Sequence, residues 1–240
     1  MEVKNRLLNY DDMIIYQNTD WFNFSLDSVL LANFVNIKLT DKKIIDFATG
    51  NAPVPMLLTY KTKNKIYGID IQKEVLELGK KSVIENNLEE QIELINEDIK
   101  NIYSVFRREY FDIITCNPPY FECNLNSNLN ENDIKTNARH ETLIKLEEII
   151  KIGSDMLKNR GSFNLVHRTN RLLEVIELLK KNRLEPKRLQ LIYPKNGSDS
   201  NIFLIEARKN ANKGVKVLAP LIIHDEDGNY RQEIKRMFGD

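Results

Sequence analysis

The stretch KIIDFATGNAPVPMLLTYKTKNKIYGID, residues 43–70, decides the fold. It opens on a β-rich run, KIIDFA (43–48), and breaks at Thr49-Gly50-Asn51-Ala52. PMLLTYKT (55–62) then reads as a short helix, and KIYGID (65–70) as a second strand. Downstream the same alternation repeats. The spacing of Val75, Leu76, Leu78, Val83 and Ile84 predicts a helix from Gln72 to about Glu85. IELIN (92–96), FDIITC (111–116) and SFNLVH (162–167) are expected strands. LIKLEEIIKIGSDMLK (143–158), ending near Gly161, and RLLEVIELLKKN (171–182) are expected helices. Short strands alternating with amphipathic helices argue for a doubly wound α/β domain.

The end of the pattern differs. RLQLIY (188–193) and NIFLIEAR (201–208) are separated only by the turn signal PKNGSDSN, so these last two of seven strands are expected to pair as an antiparallel hairpin at one sheet edge. Upstream, residues 1–40 read as an extended lead-in and a helix from about Ser25, which can serve as its N-cap. We expect one domain over 1–240, with its core at 41–210 and a C-terminal extension at 211–240. The Asn-rich segment 124–137 is expected to be a mobile loop.

Composition excludes several classes. With 240 residues, 42% of them hydrophobic, the chain can bury a sizeable core. No apolar run reaches the ~18 residues of a membrane span, and MEVKNRLLNYDDM is too polar for a signal peptide, so a cytoplasmic protein is expected. Cys116 and Cys123 form no metal-ligand or disulfide pattern, and His140, His167 and His224 are too scattered to hold a metal. Zero net charge hides an asymmetry: residues 1–138 carry a net −6, residues 139–216 a net +8, and the remainder −2. Two readings stand: solvated helix faces, or a basic surface for a polyanion such as nucleic acid.

In such sheets ligands bind at the carboxyl ends of the strands. Ala48, Gly50 and Ala52 allow close backbone approach at the first strand end but lack a dinucleotide fingerprint, which favours a ligand without a pyrophosphate. Asp70, ending the second strand, is placed to accept from vicinal ribose hydroxyls, and Asp98 (or Glu97) from an adenine amino group. At the fourth strand end two prolines stop the strand in TCNPPYFEC (115–123). Asn117 there offers an amide oxygen, Pro118 a carbonyl stiffened by Pro119, and Tyr120 a π-face: a clamp for a planar group bearing an NH2.

Asp46 to Ala52 (DFATGNA), Asp70, Glu97-Asp98 and Asn117-Pro118-Pro119-Tyr120, in this order, resemble the amino-N-methyltransferases that use S-adenosylmethionine. FSLDSVLLA (24–32), ARHE (138–141), YPK (193–195) and NIFLIEA (201–207) make the chain similar to the bacterial tRNA1(Val) (adenine-37-N6)-methyltransferase family over nearly its whole length. The pattern departs at Ala48 and Ala52, where that family usually has Gly, and at Pro53 and Pro55.

The resemblance implies a Rossmann-like class I methyltransferase, acting as a monomer with S-adenosyl-L-methionine on the anticodon loop of tRNA. Asp46, Ala48, Gly50, Ala52, Asp70, Ile71, Asp98, Ile99 and Asn117 would hold the cofactor. Asn117, Pro118, Pro119 and Tyr120 would carry the chemistry, on a base flipped out of its stack. Tyr120, Phe121, Arg139, Arg168 and Lys195, with Arg171 and Lys213, would meet the RNA. Phe24 is an alternative wall for the base, Trp21 and Phe22 either a lid or a staple, and Asp27 and Ser28 candidates for the methionine end of the cofactor. A release-factor-type glutamine methyltransferase and a non-catalytic RNA-binding module are the competing readings. The first normally carries an N-terminal substrate domain, for which about 40 residues ahead of the core are too few.

Overall fold

The computed structural model describes residues 1–8, 13–19, 25–118 and 145–239. The expectations at Trp21, Phe22, Phe24, Pro119, Tyr120, Phe121, Cys123, Arg139, His140 and the 124–137 segment lie outside these residues.

Strands β3 (Lys43–Phe47), β4 (Lys65–Asp70), β5 (Ile92–Asn96) and β6 (Phe111–Cys116) fall where the apolar runs predict, and all pair in parallel. Helix α2 (Pro53–Leu58) follows β3, α3 (Lys73–Glu85) follows β4, and a 3₁₀ turn (Ile99–Ser104) follows β5. Next come α4 (Leu146–Met156), β7 (Leu157–Arg168) and α5 (Leu172–Lys181), then β8 (Leu184–Tyr193) and β9 (Ile202–Lys209). The sheet order is β5-β4-β3-β6-β7-β9-β8. β8 and β9 form the expected antiparallel hairpin, with β9 inserted antiparallel between β7 and β8. The tail then adds two-residue strands β10 (Lys216–Val217) and β11 (Leu221–Ile222) outside β8, giving this sheet nine strands among the described residues, and ends on α6 (Gln232–Met237).

Two departures have plain physical causes. α4 stops at Met156, two residues short of the predicted end at Lys158, because Leu157 turns extended (φ −74°, ψ 137°) and pairs with Phe111. The lead-in, moreover, is a hairpin of β1 (Glu2–Arg6) and β2 (Ile14–Asn18) docked on α3. Two backbone amides of β2 end on side chains at the C-terminal end of α3: Tyr16 N on Ser82 Oγ (2.8 Å) and Ile14 N on Oδ1 of Asn86, the helix C-cap (2.8 Å). That docking buries Ser82 and leaves Ile84 59% exposed, the reverse of what hydrophobicity alone predicts.

The two faces of the sheet bury separate clusters, one under α1 (Leu26–Phe34), α2 and α3, the other under α4 and α5. Across the first face runs a polar row in register on five strands, buried Asp46, Thr115, Asn164 and Glu206 and half-buried Arg188. Arg188 and Arg208 both pair with Glu206, at 2.8 and 2.6 Å. α1, seven of whose nine residues are buried, is pinned at its C-terminal end on that face. Arg188 Nη2 donates to Phe34 O (3.1 Å), and Lys61 Nζ donates to the carbonyls of Ala32, Asn33 and Val35 (2.8, 2.6 and 3.0 Å). A cation on the last carbonyls of a helix satisfies acceptors that lack intrahelical partners. We therefore expect Lys61→Met to lower the unfolding free energy by about 2 kcal/mol, read as a lower urea midpoint at unchanged slope.

Candidate active site

The parallel register aligns the strand ends at one edge. Phe47 pairs with Cys116 and with Ile69, and Asp70 with Asn96. β3 and β6 therefore leave the sheet side by side, one into Ala48-Thr49-Gly50 and the other into Asn117-Pro118.

Asp70 organises the first of these turns. Its Oδ2 accepts from Gly50 N and its Oδ1 from Gln72 N, both at 2.8 Å. Burial raises its pKa, opposed by the amides of Gln72, Gly50 and Ile71. A carboxylate has about four acceptor sites, so capacity remains for a ligand hydroxyl. Gly50 is left-handed (φ +57°), and a Cβ there would meet only Val75 Cγ1, at 3.9 Å, so the space above the turn is open. Asn51 is tied to the N-terminal hairpin, its Nδ2 donating to Tyr16 O (3.0 Å).

Ala48 (φ 54°) and Ala52 (φ 67°), the two departures from Gly, are both left-handed. For an L-residue that conformation costs roughly 1–2 kcal/mol, so the backbone of a Gly-rich turn is kept here without its glycines. Ala52 is fully buried, whereas Ala48 is half-buried. Replacing Ala48 by Gly should raise stability by about 0.5–1 kcal/mol in urea unfolding.

Asp46 is 2% exposed and faces into the sheet, where Thr115 Oγ1 donates to its Oδ1 at 2.5 Å. Burial raises its pKa to about 7; the Thr115 and Thr49 hydroxyls oppose the shift and Asp70 adds to it. The folded chain thus holds this proton more tightly than the unfolded chain does, and its contribution to stability declines as pH rises from about 4 to about 7. Asp46→Asn should remove that decline, so the variant gains on the wild type between about pH 5 and about pH 8 in urea unfolding. A constant difference across that range would refute the assignment.

The remaining expectations divide. Asp98 caps the 3₁₀ turn, accepting from Lys100 N (2.9 Å), and Glu97 Oε1 accepts from Asp98 N and Asn101 Nδ2 (both 2.9 Å). Both acids therefore also serve as local caps. Ile71 is 46% exposed beside Asp70, while Ile99 is 5% exposed within the α4/α5 cluster. Pro118 is buried and Asn117 half-buried, and Asn117 Nδ2 donates to Ser28 Oγ (3.2 Å). Arg168, the last residue of β7, and exposed Lys195, two residues beyond β8, lie at the ends of strands parallel to β6 and share the Asn117 edge. Arg171 is held by both carboxylate oxygens of Glu174 (2.8 and 2.5 Å).

Lys213 does not join this group. Lys209, the end of antiparallel β9, lies opposite Leu184 at the start of β8, so the following loop sits at the other edge of the sheet. His167 is buried, its Nδ1 accepting from Arg168 N (2.8 Å); burial and then Arg171 lower its pKa to about 4. No group of three His, Cys, Asp or Glu among the described residues could hold a metal. The Asp46–Thr115 and Asn51–Tyr16 contacts were not anticipated. The first had a signal: each is a polar break in an apolar strand, on the same parity as its strand's inward isoleucine.

This sheet order, with an open carboxyl edge and one inserted antiparallel strand, defines a class I methyltransferase fold. A family model described as a methyltransferase domain matches residues 38–192, and the chain belongs to that family. It is similar to a Cytophaga hutchinsonii protein named tRNA1(Val) (adenine(37)-N6)-methyltransferase, with 21% identity covering 95% of this chain and 94% of the relative. An Aliivibrio salmonicida protein of the same name is 24% identical, over 85% and 84%. Among solved structures, a predicted O-methyltransferase from Agrobacterium tumefaciens superposes with a TM-score of 0.71 at 20% identity, covering 89% and 95%. A geranyl diphosphate C-methyltransferase from Streptomyces coelicolor, in complex with S-adenosyl-L-homocysteine, gives 0.57 at 10% identity, covering 76% of each chain.

Proposed function

We propose that the chain, acting as one domain and as a monomer in the cytoplasm, transfers a methyl group from S-adenosylmethionine to the N6 amino group of an adenine in tRNA. Adenosine 37 of valine tRNA is the favoured target, on the names of the relatives. The observation that carries the reading is the exit of β3 and β6 side by side, which sets the Gly50 turn beside Asn117 and Pro118.

The residues fit this cofactor. Acidic groups, Asp46, Asp70 and Asp98, stand at or next to the three strand ends, and the space over Gly50 is open. Such a set suits a diol, an amine and a cationic centre better than a pyrophosphate. Asp70 would take the ribose hydroxyls and Asp98 the adenine amino group, with Ile71 against the base. Ala48, Gly50 and Ala52 keep the backbone close, and Asp46 would lie toward the cationic end. When bound, the cofactor supplies an electrophilic methyl group on a sulfonium.

On the substrate side, Asn117 Oδ1 and the Pro118 carbonyl would accept from the two amine hydrogens, and the Tyr120 ring would stack on the base with Phe121 beside it. Two acceptors draw the nitrogen lone pair out of conjugation and aim it, which is catalysis by orientation and electrostatics. The methylated nitrogen is acidic and releases its proton to water without a dedicated base. Arg139, Arg168 and Lys195 would hold the phosphates.

Mass spectrometry of nucleosides from tRNA, before and after treatment with enzyme and cofactor, should show N6-methyladenosine appearing. No methylated nucleoside would sink the reading, and N5-methylglutamine in a protein substrate would favour the glutamine branch. Asn117→Ala should lower kcat about 100-fold while calorimetric binding of S-adenosylmethionine persists. Asp70→Asn should weaken that binding by about 10–100-fold, as expected for hydrogen bonds to a charged acceptor.

A further inference from the structure

Asn117 and Ser28, 89 residues apart in sequence, meet through the 3.2 Å hydrogen bond from Nδ2 to Oγ. Ser28 is 4% exposed, in the first turn of a helix whose far end is fixed by Lys61 and Arg188. Its hydroxyl is therefore a stationary partner. The two ends of an asparagine amide are nearly the same size but opposite in function: only the oxygen accepts from an amine, and the NH2 end would confront it donor to donor. A planar amide held at its nitrogen has its oxygen direction fixed as well. Ser25, at the N-cap position of the same helix, makes no side-chain cap bond, and the bond from Asn117 Nδ2 goes to Ser28.

We propose that Ser28 is a positioning residue for methyl transfer: by accepting from Asn117 Nδ2 it keeps the Asn117 carbonyl oxygen turned toward the reacting amine. The inference rests on the methyltransferase reading and adds to it a residue that acts through Asn117 without touching the amine. It also gives the first turn of α1 a task at the substrate side of the site, distinct from contact with the methionine end of the cofactor.

The test compares wild type, Ser28→Ala and Ser28→Thr in steady-state methylation of tRNA, each also in the Asn117→Ala background. Ser28→Ala should lower kcat about tenfold with the KM for tRNA and the calorimetric Kd for S-adenosylmethionine unchanged, and Ser28→Thr, which keeps the hydroxyl, should restore most of it. In the Asn117→Ala background Ser28→Ala should have no further effect. A kcat within about twofold of wild type, a loss confined to cofactor affinity, or an equal loss in the Asn117→Ala background would each overturn the proposal. A wild type inactive on every RNA would instead refute the functional reading. The positioning contact is then still read directly: the Asn117 side-chain amide, assigned in nitrogen-15 NMR by its absence in Asn117→Ala, should exchange faster in Ser28→Ala, and unchanged exchange overturns it.

Discussion

The site depends first on one buried carboxylate. Asp70 ends β4, and its two oxygens take the amides of Gly50 and Gln72, so a single side chain ties the turn after β3 to the start of α3. Both amides lie where a helix or turn begins and have no regular partner there. Burial works against the charged form, and the converging backbone donors work for it. The turn is held from the other side as well, where Asn51 reaches the hairpin β1–β2. Its shape is therefore set by contacts 20 and 35 residues distant, which lets left-handed alanines stand where glycine would be the easier choice.

A second constraint lies inside the sheet. Asp46, Thr115, Asn164, Glu206 and Arg188 occupy matching register positions on five adjacent strands of one face, between apolar residues above and below. Within the row Thr115 bonds Asp46 and Arg188 bonds Glu206, whereas Asn164 turns its Nδ2 to Ile114 O and Ser162 Oγ and leaves its buried Oδ1 without a hydrogen-bond partner among the described residues; a slip of one residue would turn every member to the other face. The row favours the register that brings the ends of β3 and β6 to the same level. At its outer end Arg188 also stacks on Phe34 and bonds that residue's carbonyl, so the same row helps seat α1. Sheet register and helix position, and through them the meeting of Ser28 with Asn117, are parts of one packing solution.

Much of this was legible beforehand. Four parallel strands could be read from their apolar runs because strands buried on both faces are nearly continuous in Ile, Phe, Tyr and Leu. Gly50, Asp70 and Asn117 could be marked as candidates because ligands of open α/β sheets gather at strand ends, and the structure places all three at or just past the ends of β3, β4 and β6. Less legible were the hairpin at residues 2–18, whose pairing depends on α3, and the early start of β7, whose first residue is claimed by Phe111. Lys213 shows the limit of linear charge: a run of basic residues crosses from one edge of the sheet to the other as the antiparallel strand β9 reverses the chain.

By itself the sequence determined the class of fold, the order of the core elements from β3 to β9 and the residue types at the strand ends, since these follow from local periodicity and from where prolines and glycines stop a strand. Tertiary structure alone decided which ends stand side by side, which acids turn inward to cap or pair, and which serine meets the asparagine amide. The reason is physical: hydrogen bonds such as those of Thr115 with Asp46 and of Asn117 with Ser28 join residues 69 and 89 positions apart. Nothing local in the chain encodes such contacts, and they exist only once the sheet has fixed its register and α1 has packed against it.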